Sequence, residues 1–491
     1  MKSLAAMITG TASRGARLAA GTLVPQVGGH RRERGVHELT HDLGEERTDE
    51  EDDPGADEVG PEAEDPVDHA LDRGEHLAQA GELQDLDGLL GWLGCSHEAQ
   101  RSAAPAGRGV TSVGMVTMRC PHYDAGECRS CTLMGTPYEQ QLADLDAHVR
   151  EVLADVVPHD VWDAPVAGPE SAFRNKAKLV VGGTKGAPTF GILDADRRGV
   201  SLPECGLYEP RLAAALDGLL PAVAELGLTP FDVPGRQGEL KHLIVTGSPD
   251  GELMARFVLR SAGQMGRVER GLDLLREAAP GLRVVSVNLQ PEHKAVLEGE
   301  EEVVLTPADT LPMRVGEIVF HLRPRSFFQT NTTVTTALYG QARDWVGLID
   351  PGSVLDLYCG VGGFALNAAL APGRQRRVAG IEVAPDAVLS ARRSAGELGL
   401  DVDFTVGDAS ALDALDHDLV VVNPPRRGIG PDLCGAIEAT RPDHVIYSSC
   451  NAASLAGDLA ALPGYTVRQA RVFDMFPQTR HHEVLVLLER A

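Results

Sequence analysis

The chain has 491 residues, too many for one hydrophobic core, so two or three domains are expected. No apolar run approaches the ~20 residues a helical membrane span needs, and the short run Leu4-Ala5-Ala6-Met7-Ile8 ends at Thr9 and Gly10 with Arg14 and Arg17 beyond, so no signal peptide is read. The net charge of −26 speaks against general affinity for nucleic acid and requires any phosphate contact to be local.

Residues 1–117 carry 10 basic and 22 acidic residues, and the acidic run from Glu45 to Asp68 is broken by Pro54, Pro61 and Pro66. Such a composition cannot bury enough apolar surface to fold alone, and the segment is predicted to be a disordered extension. A short amphipathic patch at Leu83–Leu93 is its one candidate helix. Met115 and Met118 precede the first organised segment, so a functional tail and a start codon placed too far upstream are both open readings.

Eight cysteines, unevenly spaced and without a secretion signal, argue against a disulfide framework and for a reducing compartment. Cys120, Cys128 and Cys131 fall within 12 residues, and Cys205 lies downstream in Leu202-Pro203-Glu204-Cys205. Four thiolates are a full ligand set for a tetrahedral zinc or an iron–sulfur cluster, and the spacing does not choose between them. Unrelated buried cysteines are the plainer alternative, disfavoured because a Cys-x-x-Cys pair in a loop bearing Gly and Pro is a poor core segment.

Gln140–Leu153 has helical periodicity. Short strands are then predicted at 177–181, 189–193, 243–246, 254–259 and 284–289, separated in part by helices at 211–226 and 266–279. This is a mixed α+β domain spanning 118–330. Its compact basic cluster, Phe173-Arg174-Asn175-Lys176-Ala177-Lys178, reads equally as a solvated strand edge or a contact to backbone phosphate.

From about Asn331 to the end the pattern becomes βαβ, which predicts a doubly wound parallel sheet. Val354–Leu357 is a strand followed by the glycine turn Gly360-Val361-Gly362-Gly363, and Val378–Glu382 is the next strand, ending on an acid placed to accept hydrogen bonds from a ribose. The turn is Gly-x-Gly-Gly and lacks the pyrophosphate fingerprint Gly-x-Gly-x-x-Gly, which favours S-adenosylmethionine over a dinucleotide. Leu419–Val422 runs into Asn423-Pro424-Pro425-Arg426, a turn whose prolines fix φ. Val445-Ile446-Tyr447-Ser448-Ser449 is a further strand ending on Cys450, a candidate nucleophile.

The chain from about Met118 onward resembles the iron–sulfur RNA uracil-C5 methyltransferases, most of all the branch acting on 23S ribosomal RNA. The resemblance is carried by Tyr123-Asp124-Ala125-Gly126 with its cysteines, Phe173–Lys178, Ser326-Phe327-Phe328-Gln329-Thr330-Asn331, Cys359–Phe364, Asn423–Gly430, Tyr447–Asn451 and Phe473-Asp474-Met475-Phe476-Pro477. It implies a C-terminal Rossmann-like class I methyltransferase domain at 331–491, preceded by a mixed α+β RNA-recognition domain with an iron–sulfur loop. By the same resemblance Cys120, Cys128, Cys131 and Cys205 would bind a [4Fe–4S] cluster, and Gln329, Tyr358, Glu382 and Asn423 would contact S-adenosylmethionine. Cys450 would be the nucleophile and Glu483 the base. The implied partner is 23S ribosomal RNA, met in the cytoplasm by a monomer without membrane or protein partner. Nothing in residues 1–117 resembles the small β-barrel module that some relatives carry.

Those residue types suit the chemistry, because C5 of uracil is too poor a nucleophile to take a methyl group unaided. A thiolate adding to C6 makes the ring an enolate, and a base must later remove the C5 proton. The thiol needs electropositive or donor surroundings, for which Arg426, Arg427, Ser448 and Ser449 are candidates. Cys359 and Cys434 are the competing thiols, read as structural. Three rival functions remain open: the same chemistry on another ribosomal uridine or on transfer RNA, a nitrogen methyltransferase using Asn-Pro-Pro, and a non-catalytic iron–sulfur RNA-binding protein.

Overall fold

The computed structural model describes residues 118–293, 296–409 and 415–491, so the acidic run, the Leu83–Leu93 patch and Met115 lie outside the described residues. Among the described residues no helix is long and apolar enough to cross a membrane. The first turn of helix, α1 (Pro121–Asp124), follows Cys120, and α2 (Tyr138–Val152) covers the expected helical stretch to within two residues. Its apolar stripe continues into the following turn, and Leu145, Val149 and Leu153 pack against the C-terminal sheet rather than the central one. Burial of this kind contributes about 1.5–3 kcal/mol per large aliphatic side chain.

The central sheet contains β1 (Lys176–Thr184), β2 (Ala187–Leu193) and β3 (Gly199–Ser201), then, after helix α3 (Pro210–Leu226), β4 (Leu240–Gly247) and β5 (Leu253–Leu259). Helices α4 (Met265–Arg270) and α5 (Leu272–Ala278) cross over to β6 (Leu282–Leu289), and β7 (Glu301–Val304) closes the order β3-β2-β1-β4-β5-β6-β7. Only β5 and β6 pair in parallel within it. One helix was expected over 266–279. It breaks at Gly271, a poor helix former, where a β-carbon would press on the Leu226 side chain at the end of α3.

A hairpin, β8 (Leu311–Val315) and β9 (Ile318–Leu322), leads to α6 (Thr332–Ile349), which is capped by the Asn331 side chain accepting from the Val334 N–H at 3.2 Å. Phe320, Phe328 and Tyr339 stack where hairpin and helix meet. The C-terminal domain then alternates strands and helices: β10 (Ser353–Leu357), α7 (Gly363–Ala369), β11 (Arg377–Glu382), α8 (Pro385–Leu398), β12 (Val402–Val406), β13 (Leu419–Val422), α9 (Gly430–Thr440), β14 (His444–Ser449), α10 (Ala452–Ala460), β15 (Tyr465–Phe473) and β16 (Glu483–Arg490). Strands β10 and β13 are buried along their whole length, as parallel strands with both faces covered must be.

The C-terminal sheet runs β12-β11-β10-β13-β14-β16-β15. The order reverses between β10 and β13, which opens a crevice at their carboxyl ends. Strand β16 lies antiparallel to β14, with Ser449 opposite Val484. Its first residue, Glu483, therefore stands at the same edge of the sheet as the last residues of the parallel strands.

Candidate active site

Strand ends deliver the expected residues to one crevice. Tyr358 follows β10, Glu382 ends β11, Asn423 follows β13 and Cys450 follows β14. Tyr358 is held in the left-handed region at φ 60°, an unfavourable conformation for a tyrosine and one found where surrounding structure over-determines the backbone. Its neighbour Cys359 fixes the turn by donating its N–H to Ile381 O at 3.1 Å. Gly360 also has positive φ, and a β-carbon there would meet nothing within 4 Å, so the turn leaves a cradle open to a ligand. Glu382 borders that cradle, its carboxylate accepting from the N–H groups of Gly360 at 3.0 Å and Ala384 at 2.9 Å. Open space at the glycine turn and an acid at the next strand end fit the adenosine and ribose of S-adenosylmethionine. Beneath the turn Asp356 is wholly buried, accepts from the Ala365 N–H at 2.8 Å, and is pushed by burial up to about 8.

Glu483 is 4% exposed and its carboxyl is pushed by burial to about 7. Two donors oppose the shift: Gln329 Nε2 reaches Oε1 at 3.5 Å and the Ser448 hydroxyl reaches Oε2 at 3.3 Å. Cys450 is half-buried, and burial followed by the nearby Glu483 raises its thiol to about 12, against the pull of the Arg426 guanidinium that hydrogen-bonds to it. Arg426 also donates to His481 Nδ1 at 3.1 Å, and its carbonyl accepts from the Asn451 side chain at 3.2 Å. Of the four donor candidates, the structure thus uses Arg426 on the thiol and Ser448 on the carboxylate. Ser449 turns to the Asn451 carbonyl at 3.0 Å, and Arg427 is exposed. The competing thiols are buried: Cys359 in the core beside the glycine turn and Cys434 inside α9, where its thiol donates to Asp458 O at 3.7 Å.

His481 and Asp458 carry no signal in the sequence. His481 lies two residues before Glu483 in a polar run without periodicity, and Asp458 has the local context of an ordinary helix-surface acid. The basic cluster of the central domain sits at the seam between the two sheets. Asn175 donates to Gln329 O at 3.3 Å and to Thr332 Oγ1 at 2.9 Å, so it buttresses the segment bearing Gln329, while Arg174 lies 5.9 Å over the Phe476 ring.

The chain is 45% identical over 379 residues to the 23S rRNA (uracil(747)-C(5))-methyltransferase of Salmonella newport, a match that spans 76% of this chain and 100% of that relative. The chain belongs to the RNA uracil-C5 methyltransferases. An Escherichia coli protein of the same name is likewise 45% identical, over 76% of this chain and 99% of its own length. The family model described as tRNA (Uracil-5-)-methyltransferase matches residues 401–491, and one described as methyltransferase domain matches 354–425. Among solved structures, the Pyrococcus abyssi tRNA (uracil-54, C5)-methyltransferase in complex with S-adenosyl-L-homocysteine superposes with a TM-score of 0.62 at 24% identity, covering 73% of this chain and 85% of that one, a likeness of fold.

In this uracil-C5 methyltransferase Cys120 and Cys131 are buried, and Cys128 and Cys205 are half-buried. Burial, then Cys205, Cys128 and Cys120, push the Cys131 thiol to about 12, which puts the four sulfurs within electrostatic reach of one another. Among the described residues, however, no three His, Cys, Asp or Glu side chains are gathered as a metal-binding group. The donor set has the chemistry of a cluster site without the closed geometry of a bound ion. Phe173 and Leu207 pack around Cys131, and Met118, Met134 and Cys205 complete a small apolar cluster.

Proposed function

We propose that the protein transfers the methyl group of S-adenosylmethionine to C5 of one uridine in 23S ribosomal RNA, by way of a covalent bond between Cys450 and C6. The supporting observation is the meeting of a half-buried thiol and a buried carboxyl at one sheet edge, beside a glycine cradle, in a chain whose relatives at 45% identity are named for that reaction. S-Adenosylmethionine supplies an electrophilic methyl on a sulfonium. Glu382, Tyr358, Asn423 and Gln329 are the residues to hold it.

In this reading Arg426 stabilises the Cys450 thiolate, which adds to C6. The S–C6 bond forms and the C5=C6 electrons move onto the C4 carbonyl. The enolate carbon C5 then attacks the methyl group, and the leaving sulfur keeps its electron pair. Glu483 next takes the proton from C5, the C5=C6 bond re-forms, and Cys450 departs as thiolate. A carboxyl raised to about 7 suits that step, since a general base works best with its pKa near the operating pH. Gln329 and Ser448 would orient the carboxylate, each through the hydrogen bond already described.

Cys120, Cys128, Cys131 and Cys205 would hold a [4Fe–4S] cluster, away from the crevice, with a structural or RNA-orienting role. The protein would act as a monomer in the cytoplasm, where the ribosomal substrate is made. A nitrogen methyltransferase is disfavoured, because such a site needs neither Cys450 nor Glu483 and usually stacks its target on an aromatic residue where this chain has Arg426. Methylation of another RNA by the same chemistry is separated by mapping 5-methyluridine in ribosomal RNA from cells lacking the protein. The reading requires one modification to vanish from 23S RNA and to return with the wild-type chain but not with Cys450→Ala. An unchanged 23S pattern would sink it.

A further inference from the structure

We propose that Asp458 is a positioning residue for methyl transfer: it clamps the Asn423–Gly430 turn onto the strand bearing Cys450, and so holds Arg426 against the thiol. The proposal rests on the reading of Cys450 as nucleophile. Asp458 lies on α10 and is 8% exposed. Its Oδ2 accepts from the Tyr447 hydroxyl at 2.5 Å and the Ile429 N–H at 2.9 Å, and its Oδ1 accepts from the Gly430 N–H at 3.2 Å. All three partners are donors, so the side chain is used as an acceptor throughout. Tyr447 is fully buried on β14, three residues before Cys450. The two amides belong to the turn that carries Arg426.

That turn rests directly on the carboxylate. Gly428 has φ +83°, and a β-carbon there would lie 2.2 Å from Asp458 Oδ2, so only glycine permits the approach. Gly428 also closes the turn by donating its N–H to Pro425 O at 2.9 Å. On its other flank the backbone of Arg426 is gripped by the Asn451 side chain at 3.2 Å. Arg426 is thus held from both ends of the nucleophile strand, by Asn451 after Cys450 and by Tyr447 through Asp458 before it. A carboxylate buried merely to cap α9 would need only the two amides. The tyrosine bond is additional, and it joins the cap to the strand that ends in the thiol.

The test uses full-length protein without RNA or cofactor. Alkylation of Cys450 by iodoacetamide is followed against pH by mass spectrometry of the peptide. In Asp458→Asn the alkylation rate at pH 8 should fall about tenfold as the guanidinium drifts from the thiol and the thiolate fraction drops, and kcat should fall about tenfold or more. Affinity for S-adenosylmethionine should change less than about threefold, because Asn423 is fixed separately by its N–H donating to Leu357 O at 3.4 Å. Tyr447→Phe, which removes one donor and no charge, should slow alkylation at pH 8 in the same direction by less, and it carries the test alone if Asp458→Asn does not fold. A folded variant that loses thermal stability yet keeps the wild-type alkylation profile overturns the proposal and leaves Asp458 a helix cap. Because alkylation is read without methyl transfer, that failure is distinct from failure of the nucleophile reading, which would appear as methylation by Cys450→Ala.

Discussion

The Ser448 hydroxyl donates to Glu483 Oε2 at 3.3 Å, joining the end of β14 to the first residue of its antiparallel neighbour β16. Gln329 approaches the other carboxylate oxygen at 3.5 Å from a segment outside the sheet. Both donors favour the charged form, yet burial outweighs them and the carboxyl stays near 7. At neutral pH Glu483 is therefore divided between acid and base.

This has a consequence for stability. Glu483 is raised from 4.5 to about 7, so between these values the folded protein keeps a proton that the unfolded chain has released. Stability is full below the unfolded value and is lost as pH rises through about 7. Asp356, raised from 3.8 to about 8, acts in the same sense. Urea denaturation at pH 6 and pH 8 should show a weaker protein at pH 8. Glu483→Gln should flatten part of that slope and be more stable than wild type at pH 8 by about 1–3 kcal/mol. An unchanged slope would mean that the carboxyl is not ionising inside the fold.

The strands that carry the site were legible because β10, β13 and β14 are largely covered on both faces and so read as short, mainly apolar runs; only β13, Leu419–Val422, is unbroken, and it was bounded to the residue. The meeting of Cys450 with Glu483 was legible only through the family resemblance. Geometrically it depends on β16 inserting antiparallel beside β14, and no local pattern encodes strand order. Adjacent residues of a strand face opposite ways, which is why Ser448 serves the carboxylate and Ser449 does not, and the face could not be chosen without the register. The hairpin at Leu311–Leu322 has no clear signature in the sequence, because its strands are only five residues each and Pro312 interrupts the first. The periodicity of α2 is plain in the sequence, but which sheet its stripe covers is a tertiary property.

The cysteine site has a direct chemical test. Protein purified without oxygen should be brown and contain iron and sulfide in about a 1:1 ratio. Cys131→Ser should lose both, since Cys131 is a buried thiol that feels the other three. Recovery of stoichiometric zinc without sulfide would replace the cluster by a single ion.

Residues 1–117 should be dispensable for methyl transfer. Their composition, 10 basic and 22 acidic residues with an acidic run broken by Pro54, Pro61 and Pro66, supports no core of its own, and that acidic charge would repel RNA. A chain starting at Met118 should melt within a few degrees of full length and keep its kcat. A folded truncation without activity would assign the extension a role.

Cys450 and Glu483 should be separable by the step each one blocks. Cys450→Ala removes the attack on C6, so no enolate forms and no methyl moves, even with cofactor and RNA bound. Glu483→Gln leaves attack and transfer intact, because Arg426 still faces the thiol, but no group remains to take the C5 proton. The methylated adduct then cannot eliminate and should persist as a covalent protein–RNA complex. Denaturing gels with labelled RNA should show a retarded band for Glu483→Gln and none for Cys450→Ala. In wild type, kcat/KM should climb with pH through about 7 as Glu483 ionises. Cys359 and Cys434 are buried and turned to backbone carbonyls, so neither can substitute without local opening. A covalent band from Cys450→Ala would transfer the nucleophile's role to one of them and remove the thiol–carboxyl pair from the reaction.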